Sequence, residues 1–154
     1  KHLKTTDMIK TSNAGTILSE KGEKIILQIL SHIPKETIIP KSSITVGKFN
    51  YAVLIKNIAN LIHSGIEQRD AAIKMNALGA TTLVYKDKRF IMPNSNFDAL
   101  HTEQNLHALL VQSMNPEEDD VLIIGSDNKS ERTAEFAAKS AALITIMNHD
   151  KHIF

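Results

Sequence analysis

Apolar residues recur at helical spacing in five segments of the chain, which predicts five amphipathic helices. In the first of them, Ile25 and Ile29 follow Ser19, whose hydroxyl suits the N-cap position. Pro34 then ends the helix, because proline cannot continue an α-helix beyond its first turn. The residues before Ser19 are polar and predict a loosely ordered arm. The predicted helices cover residues 19–33, 48–63, 66–78, 99–114 and 131–141.

Runs of β-branched and aromatic residues predict the strands. Two such runs within residues 80–92 are separated by a short charged turn, which predicts a hairpin. Residues 121–124 are continuously apolar and end at Gly125, a pattern typical of a strand that is buried on both faces. Residues 143–147 predict a last buried strand, and residues 37–46 predict a loop or an edge strand around a proline.

The order of these elements predicts a three-layer α/β fold. The strand–helix–strand unit over residues 121–147 favours a right-handed crossover between parallel strands. A mixed sheet, made of the hairpin and the parallel strands, would then lie between helices on both faces. We expect an N-terminal arm and helix over residues 1–48 and an α/β domain over residues 49–154.

Composition narrows the possible functions. The 154-residue chain contains no cysteine, which excludes disulfides, a cysteine nucleophile and a thiolate metal site. No apolar run approaches the roughly 20 residues that span a bilayer, so we expect no membrane association. A cytoplasmic location is the expectation, and secretion or delivery as part of a longer chain stays open.

The charge distribution is uneven although the formal net charge is only +1. That small net charge excludes a strong overall attraction to nucleic acid or membrane. Residues 1–50 carry eight lysines against four acids, whereas the rest of the chain carries ten bases against thirteen acids. The basic segment is expected to be a solvated arm or a contact for a protein partner.

The triplet His101-Thr102-Glu103 opens the predicted helix 99–114. Asn94 and Asn96 precede it in a loop that follows the predicted hairpin, and the buried strand 121–124 comes after it. This arrangement resembles the cytidine deaminase superfamily, which carries H-x-E at a helix start. In that family the histidine binds zinc, and the glutamate moves protons between the metal-bound water and the base. The resemblance covers about two-thirds of the chain.

The second half of the deaminase motif, P-C-x-x-C, is absent. Gly125-Ser126-Asp127-Asn128-Lys129-Ser130 stands in its place, with Asp127 and Ser130 at the three-residue spacing. Zinc is possible with His101 and Asp127 as ligands, but this ligand set is incomplete, because a catalytic zinc takes three protein ligands. The triplet also fits an ordinary first helical turn, since Asp98 can cap a helix and an acid at position 103 suits the helix dipole.

The resemblance implies hydrolytic deamination of a nucleobase, a nucleoside or a related amide if the protein is active. Glu103 would be the proton shuttle, and His101 would contact the metal or the substrate. Otherwise the domain would be a zinc-free pseudoenzyme that binds a small, nucleobase-containing ligand. The substrate-binding residues implied in either case are Asn94, Asn96, Ser126, Asp127 and Ser130.

Two further interpretations stay open. Residues 120–148 are similar to the phosphosugar-binding half of sugar isomerase domains, which implies that Ser126, Ser130 and Thr133 surround a phosphate with help from Arg132. The glycine that the family carries in this loop is missing here. Alternatively, the chain is a protein-interaction domain that uses the basic segment 1–50. Near the C-terminus, His149, Asp150 and His152 could bind a metal adventitiously.

Overall fold

The computed structural model describes residues 2–150, and it describes the side chains of all of these except residues 3, 149 and 150. The suggested metal ligands His149, Asp150 and His152 therefore lie outside the described side chains. The chain divides into two compact units after His32. Within the described residues, no helix combines the length and the apolar character needed to cross a membrane.

The N-terminal unit is a hairpin between two helices. Its elements are α1 (His2–Thr5), β1 (Ile9–Ser12), β2 (Gly15–Leu18) and α2 (Glu20–His32). The two strands are antiparallel, with Ile9 opposite Leu18 and Ser12 opposite Gly15. The prediction of a loosely ordered arm before Ser19 is therefore wrong. This polar segment contains a turn at residues 13–14, which allows its two halves to pair. The helix predicted after Ser19 is confirmed, and the Ser19 hydroxyl accepts a hydrogen bond from the Gly22 N–H.

The second unit is built on a five-stranded sheet. Its elements are β3 (Lys35–Ile39), β4 (Phe49–Ile55), a 3-10 turn (Ala59–Leu61), α3 (Ile66–Lys74), β5 (Gly79–Lys86), β6 (Arg89–Ile91), α4 (Gln104–Met114), β7 (Val121–Asp127) and α5 (Glu131–Asp150). The strand order is β3-β4-β7-β5-β6, and every paired neighbour in the described residues runs antiparallel. Strand β3 lies within the region 1–48 that was predicted to be an N-terminal arm and helix, but it belongs to this sheet as an edge strand.

The sheet has helices on both faces, as predicted. On one face Leu54, Leu83 and Leu122 pack with Leu110 and Met114 of α4. The residues that alternate with them point to the opposite face, where they pack against α3 and α5. The members of that second cluster include Val53, Ile55, Val121, Ile123, Ala138, Ala141 and Ala142.

The prediction of a mixed sheet is wrong, and two segments explain why. Residues 48–63, predicted as a helix, form β4 and the 3-10 turn, because the apolar run in β4 pairs along its whole length with β7. Residues 143–147, predicted as a strand, continue α5, where Ile146 packs into the core beside the alanines of the same helix. Without that strand, no parallel crossover forms in the described residues.

The hairpin and the buried strand are confirmed. Strands β5 and β6 pair as predicted, and both turn residues, Asp87 and Lys88, have positive φ angles of 50° and 60°. Positive φ at both positions is the geometry of the tightest hairpin turns. The strand predicted at residues 121–124 extends to Asp127, and the helix predicted at residues 99–114 begins at Gln104.

Candidate functional site

Glu103 precedes α4, and its carboxylate is engaged in a structural contact. One carboxylate oxygen accepts hydrogen bonds from the backbone N–H of Ser43, at 2.8 Å, and from the Ser43 hydroxyl. These bonds connect the loop that follows β3 to the start of α4. Glu103 also lines a cavity of about 430 Å³ together with Lys41, Ser42 and residues 102–106.

His101 has different neighbours from Glu103. Its imidazole is exposed and lies edge-on against the Phe97 ring, with 6.2 Å between the ring centroids. It does not line the cavity that Glu103 lines. The two residues of the H-x-E triplet are thus only two positions apart in the sequence, but of the two only Glu103 lines the cavity of about 430 Å³.

Asp127 and Ser130 form the turn that leads into α5. The Asp127 carboxylate accepts hydrogen bonds from the N–H groups of Lys129, at 3.0 Å, and of Ser130, at 2.9 Å. The Ser130 hydroxyl accepts a bond from the Thr133 N–H, as an ordinary N-cap does. The Asp127 carboxylate and the Ser130 hydroxyl therefore occupy three of the N–H groups around this helix start, and Arg132 lies over the Phe136 ring.

Ser126 is fully buried in the sheet. Its hydroxyl donates to the Asn50 side-chain oxygen at 2.7 Å, and the Asn50 amide donates to the Gly47 carbonyl. This network connects β7 to β4 and to the loop before β4. The one hydroxyl proton of Ser126 is thus used within the protein, and the fully buried side chain is closed to a ligand from solvent.

The candidate zinc ligands, His101 and Asp127, belong to different elements of the fold. His101 lies beside Phe97 ahead of α4, whereas Asp127 lies at the end of β7, and no contact among the described residues joins them. Among the described side chains, no group of three or more histidines, aspartates or glutamates could hold a metal ion.

Asn94 and Asn96, by contrast, line a cavity of about 320 Å³ beside β6. This cavity adjoins a second one of about 490 Å³, because Ala59, Val84 and Lys86 line both. We call the combined depression the β5–β6 cleft. Its polar lining residues are Asn57, Asn60, Lys86, Asp87, Arg89, Asn94, Ser95, Asn96 and Asp119.

Two local structures position the polar groups of the cleft. On one side, the Ser95 hydroxyl donates to the Met92 carbonyl and accepts from the Phe97 N–H, which fixes the loop that carries Asn94 and Asn96. On the other side, the buried Asp120 carboxylate accepts from the Asn57 N–H at 2.9 Å.

A partly buried ion pair strengthens the second of these structures. Lys56 donates to Asp120 at 2.7 Å and to Glu117 at 2.8 Å. Partial burial by itself lowers the pKa of Lys56, but the hydrogen bonds to these two carboxylates outweigh it, so the pKa is raised. Lys56 therefore stays charged, and the cleft wall beside Asn57 is held in place.

Several side chains of the cleft have free hydrogen-bonding capacity. Within the described part of the chain, the side chains of Asn60, Lys86, Asn94 and Asn96 make no hydrogen bond or ion pair. Arg89 makes only a long, exposed contact with Asp87, at 3.8 Å. Sequence reasoning missed Lys86 and Arg89, because their charged segment was interpreted only as a turn. Asn57 and Asn60 were missed because they fell inside a predicted helix.

Residues 46–146 match the family model described as "Domain of unknown function (DUF4443)". The chain belongs to this family. The DUF4443 region runs from the loop before β4 into α5, and it contains every residue of the β5–β6 cleft.

A solved structure is similar to the chain over most of its length. The hypothetical protein PH0730 from Pyrococcus horikoshii OT3 has 25% sequence identity and a TM-score of 0.68, over 95% of this chain and 73% of that chain. No curated protein sequence matches the chain.

Proposed function

We propose that the DUF4443 region is a binding domain for a small anionic ligand, a nucleoside phosphate, and that the ligand occupies the β5–β6 cleft. The observation that carries this proposal is the concentration of free polar groups there. Lys86 and Arg89 supply two positive charges, against two acids in the lining, Asp87 and Asp119. Asn60, Asn94 and Asn96 supply amide donors and acceptors.

The chemistry of these side chains favours a nucleoside phosphate over a simple anion. An asparagine amide offers both a donor and an acceptor, which is the pattern that pairs with the edge of a nucleobase. A guanidinium binds phosphate oxygens through two parallel hydrogen bonds. Both cavities are within the range of roughly 300–1,000 Å³ typical of ligand sites.

The state of the other candidate residues supports binding rather than hydrolysis. Glu103 is bonded to Ser43, and Asp127 is bonded to two backbone N–H groups. A hydrolytic deaminase needs a proton shuttle and a water-activating group at one cavity. We therefore expect no ammonia release from nucleosides. Release that is abolished by Glu103→Gln would contradict the proposed role and restore the deaminase interpretation.

Ligand binding is tested by thermal denaturation and calorimetry with nucleoside monophosphates, nucleosides, ribose 5-phosphate and inorganic phosphate. A ligand at 100 times its Kd stabilises the folded state by about 2.7 kcal/mol. We expect the monophosphates to raise the Tm most, because only they combine the base with the phosphate.

Arg89→Gln is the variant that tests the site. Loss of a charge-assisted hydrogen bond costs about 1.5–3 kcal/mol, so affinity should fall about 10- to 150-fold. Arg132→Gln is the matched control, because Arg132 stacks on Phe136 and does not line the cleft. Equal affinity of the Arg89 variant and the wild type, or no Tm shift with millimolar nucleotide, would refute the proposal.

A further inference from the structure

The hairpin β1–β2 of the N-terminal unit presents its residues to solvent. Seven of its eight strand residues are exposed, and Ile9 is half-buried. The described part of the chain places only these two strands in the sheet, so the outer edges of both strands have backbone groups without a ladder partner. Backbone N–H groups and hydroxyls of this kind are the donors that commonly bind nucleic-acid phosphates.

The two faces of the hairpin differ. The Leu18 side chain points to Gly22 of α2, since its terminal carbon lies only 3.2 Å from the place where a Cβ on that glycine would be. Successive strand residues point to opposite faces, and Lys10 is opposite Ile17 in the pair. Lys10, Ser12 and Ile17 therefore lie on the face directed away from α2.

The distal part of the hairpin carries positive but no negative charge. Residues 8–19 contain Lys10 and no acid. The nearest acids, Asp7 and Glu20, flank the base of the hairpin, and a four-residue strand places its tip about 13 Å away. Lys4, in the adjoining α1, adds a second cation. Neither lysine has an ion-pair partner among the described residues.

We propose that this hairpin is a contact surface for double-stranded DNA, with Lys10 and Lys4 each pairing with a phosphate. A two-stranded ribbon fits the major groove of B-DNA, which is about 12 Å wide. The major groove of duplex RNA is too narrow to admit it. The inference is independent of the ligand proposed for the β5–β6 cleft.

The test is fluorescence anisotropy of the full chain with a labelled DNA duplex at 50 and 200 mM salt. Two phosphate contacts give a slope of about −1.8 for log K against log salt, so affinity should fall about 12-fold over this range. In Lys10→Gln the slope should halve, and the fall should be about 3.5-fold. Affinity that does not change with salt would overturn the proposal.

Two controls separate a DNA contact at the hairpin from a general effect of lost charge or of lost stability. Lys74→Gln removes the same charge from α3, outside the N-terminal unit, and its DNA affinity should equal that of the wild type. The variants should also share one Tm, because Lys10 is exposed and unpaired. The assignment would be refuted by an equal loss of DNA affinity in Lys10→Gln and Lys74→Gln, or by unchanged DNA affinity in Lys10→Gln. Binding of duplex RNA as tight as that of duplex DNA would also refute it. Unchanged affinity would point to a protein as the partner of the hairpin.

Discussion

Replacing Asp120 tests how the fold holds the cleft wall in place. Asp120 is 1% exposed, and its carboxylate accepts from the Asn57 N–H at 2.9 Å, the Glu117 N–H at 2.8 Å and Lys56 at 2.7 Å. In Asp120→Ala both backbone donors lose their partner, and Lys56 keeps only the exposed Glu117. One carboxylate thus connects the end of β4 to the segment that enters β7.

The expected loss of stability in Asp120→Ala follows from these contacts. A hydrogen bond to a charged group contributes about 1.5–3 kcal/mol, so the two backbone bonds to Asp120 together contribute about 3–6 kcal/mol before solvent access is taken into account. Water can replace part of this bonding, because Asn57 and Glu117 are exposed and 28% of the Lys56 side chain is accessible. The ion pair with Lys56 therefore adds little, and we expect Asp120→Ala to lower the free energy of unfolding by about 3–5 kcal/mol. For a chain of this size the Tm should fall by roughly 6–20 °C.

Urea and thermal denaturation, followed by circular dichroism, measure the effect. The matched control is Asp70→Ala, because Asp70 is 52% exposed and pairs only with the neighbouring Arg69. That control should change the stability by less than about 0.5 kcal/mol. A loss below about 1 kcal/mol in Asp120→Ala, with an unchanged m-value, would refute the argument that this carboxylate holds the junction together.

Two further predictions concern α5. A Cβ on Gly125 would lie 2.2 Å from the Ala134 carbonyl oxygen. We therefore expect Gly125→Ala to lower the free energy of unfolding, measured by urea denaturation, by at least about 2 kcal/mol. A variant as stable as the wild type would contradict the close packing of β7 on α5. Burial lowers the pKa of Lys139, but hydrogen bonds to Glu135 and Glu36 outweigh it and raise the pKa. The stability that Lys139 contributes is therefore present below its ordinary pKa and is lost as the pH rises through the higher folded-state value. The stabilities of Lys139→Gln and the wild type should differ at pH 8, and the difference should shrink as the pH rises through the raised pKa of Lys139. A difference in stability that stays constant over this pH range would contradict the prediction.

Local signals predicted the parts of the fold that depend on neighbouring residues. The charged turn between two β-prone runs predicted the β5–β6 hairpin. This turn involves only four consecutive residues, and its two central residues, Asp87 and Lys88, adopt left-handed backbone conformations. The N-cap of α2 was predicted for the same reason, since Ser19 bonds an N–H only three residues away. Neither feature needs a distant partner.

The candidate site was only partly predictable. Asn94 and Asn96 were identified as ligand-contacting candidates, and both line the cleft. Their neighbours Asn57, Lys86 and Arg89 come from different elements, and spacing along the chain carries no sign that these elements meet. Glu103 was singled out by a motif, although its carboxylate is bonded to Ser43, sixty residues earlier in the chain.

What the sequence by itself determined is the set of turns, caps and buried apolar segments. The tertiary structure decided whether two of those segments became strand or helix: residues 49–55 pair with β7, and residues 143–147 stay in α5. A short apolar run satisfies both the helical and the extended pattern, so its own residues cannot choose between them. The choice depends on where its backbone hydrogen bonds and apolar side chains find partners, and those partners lie far away along the chain.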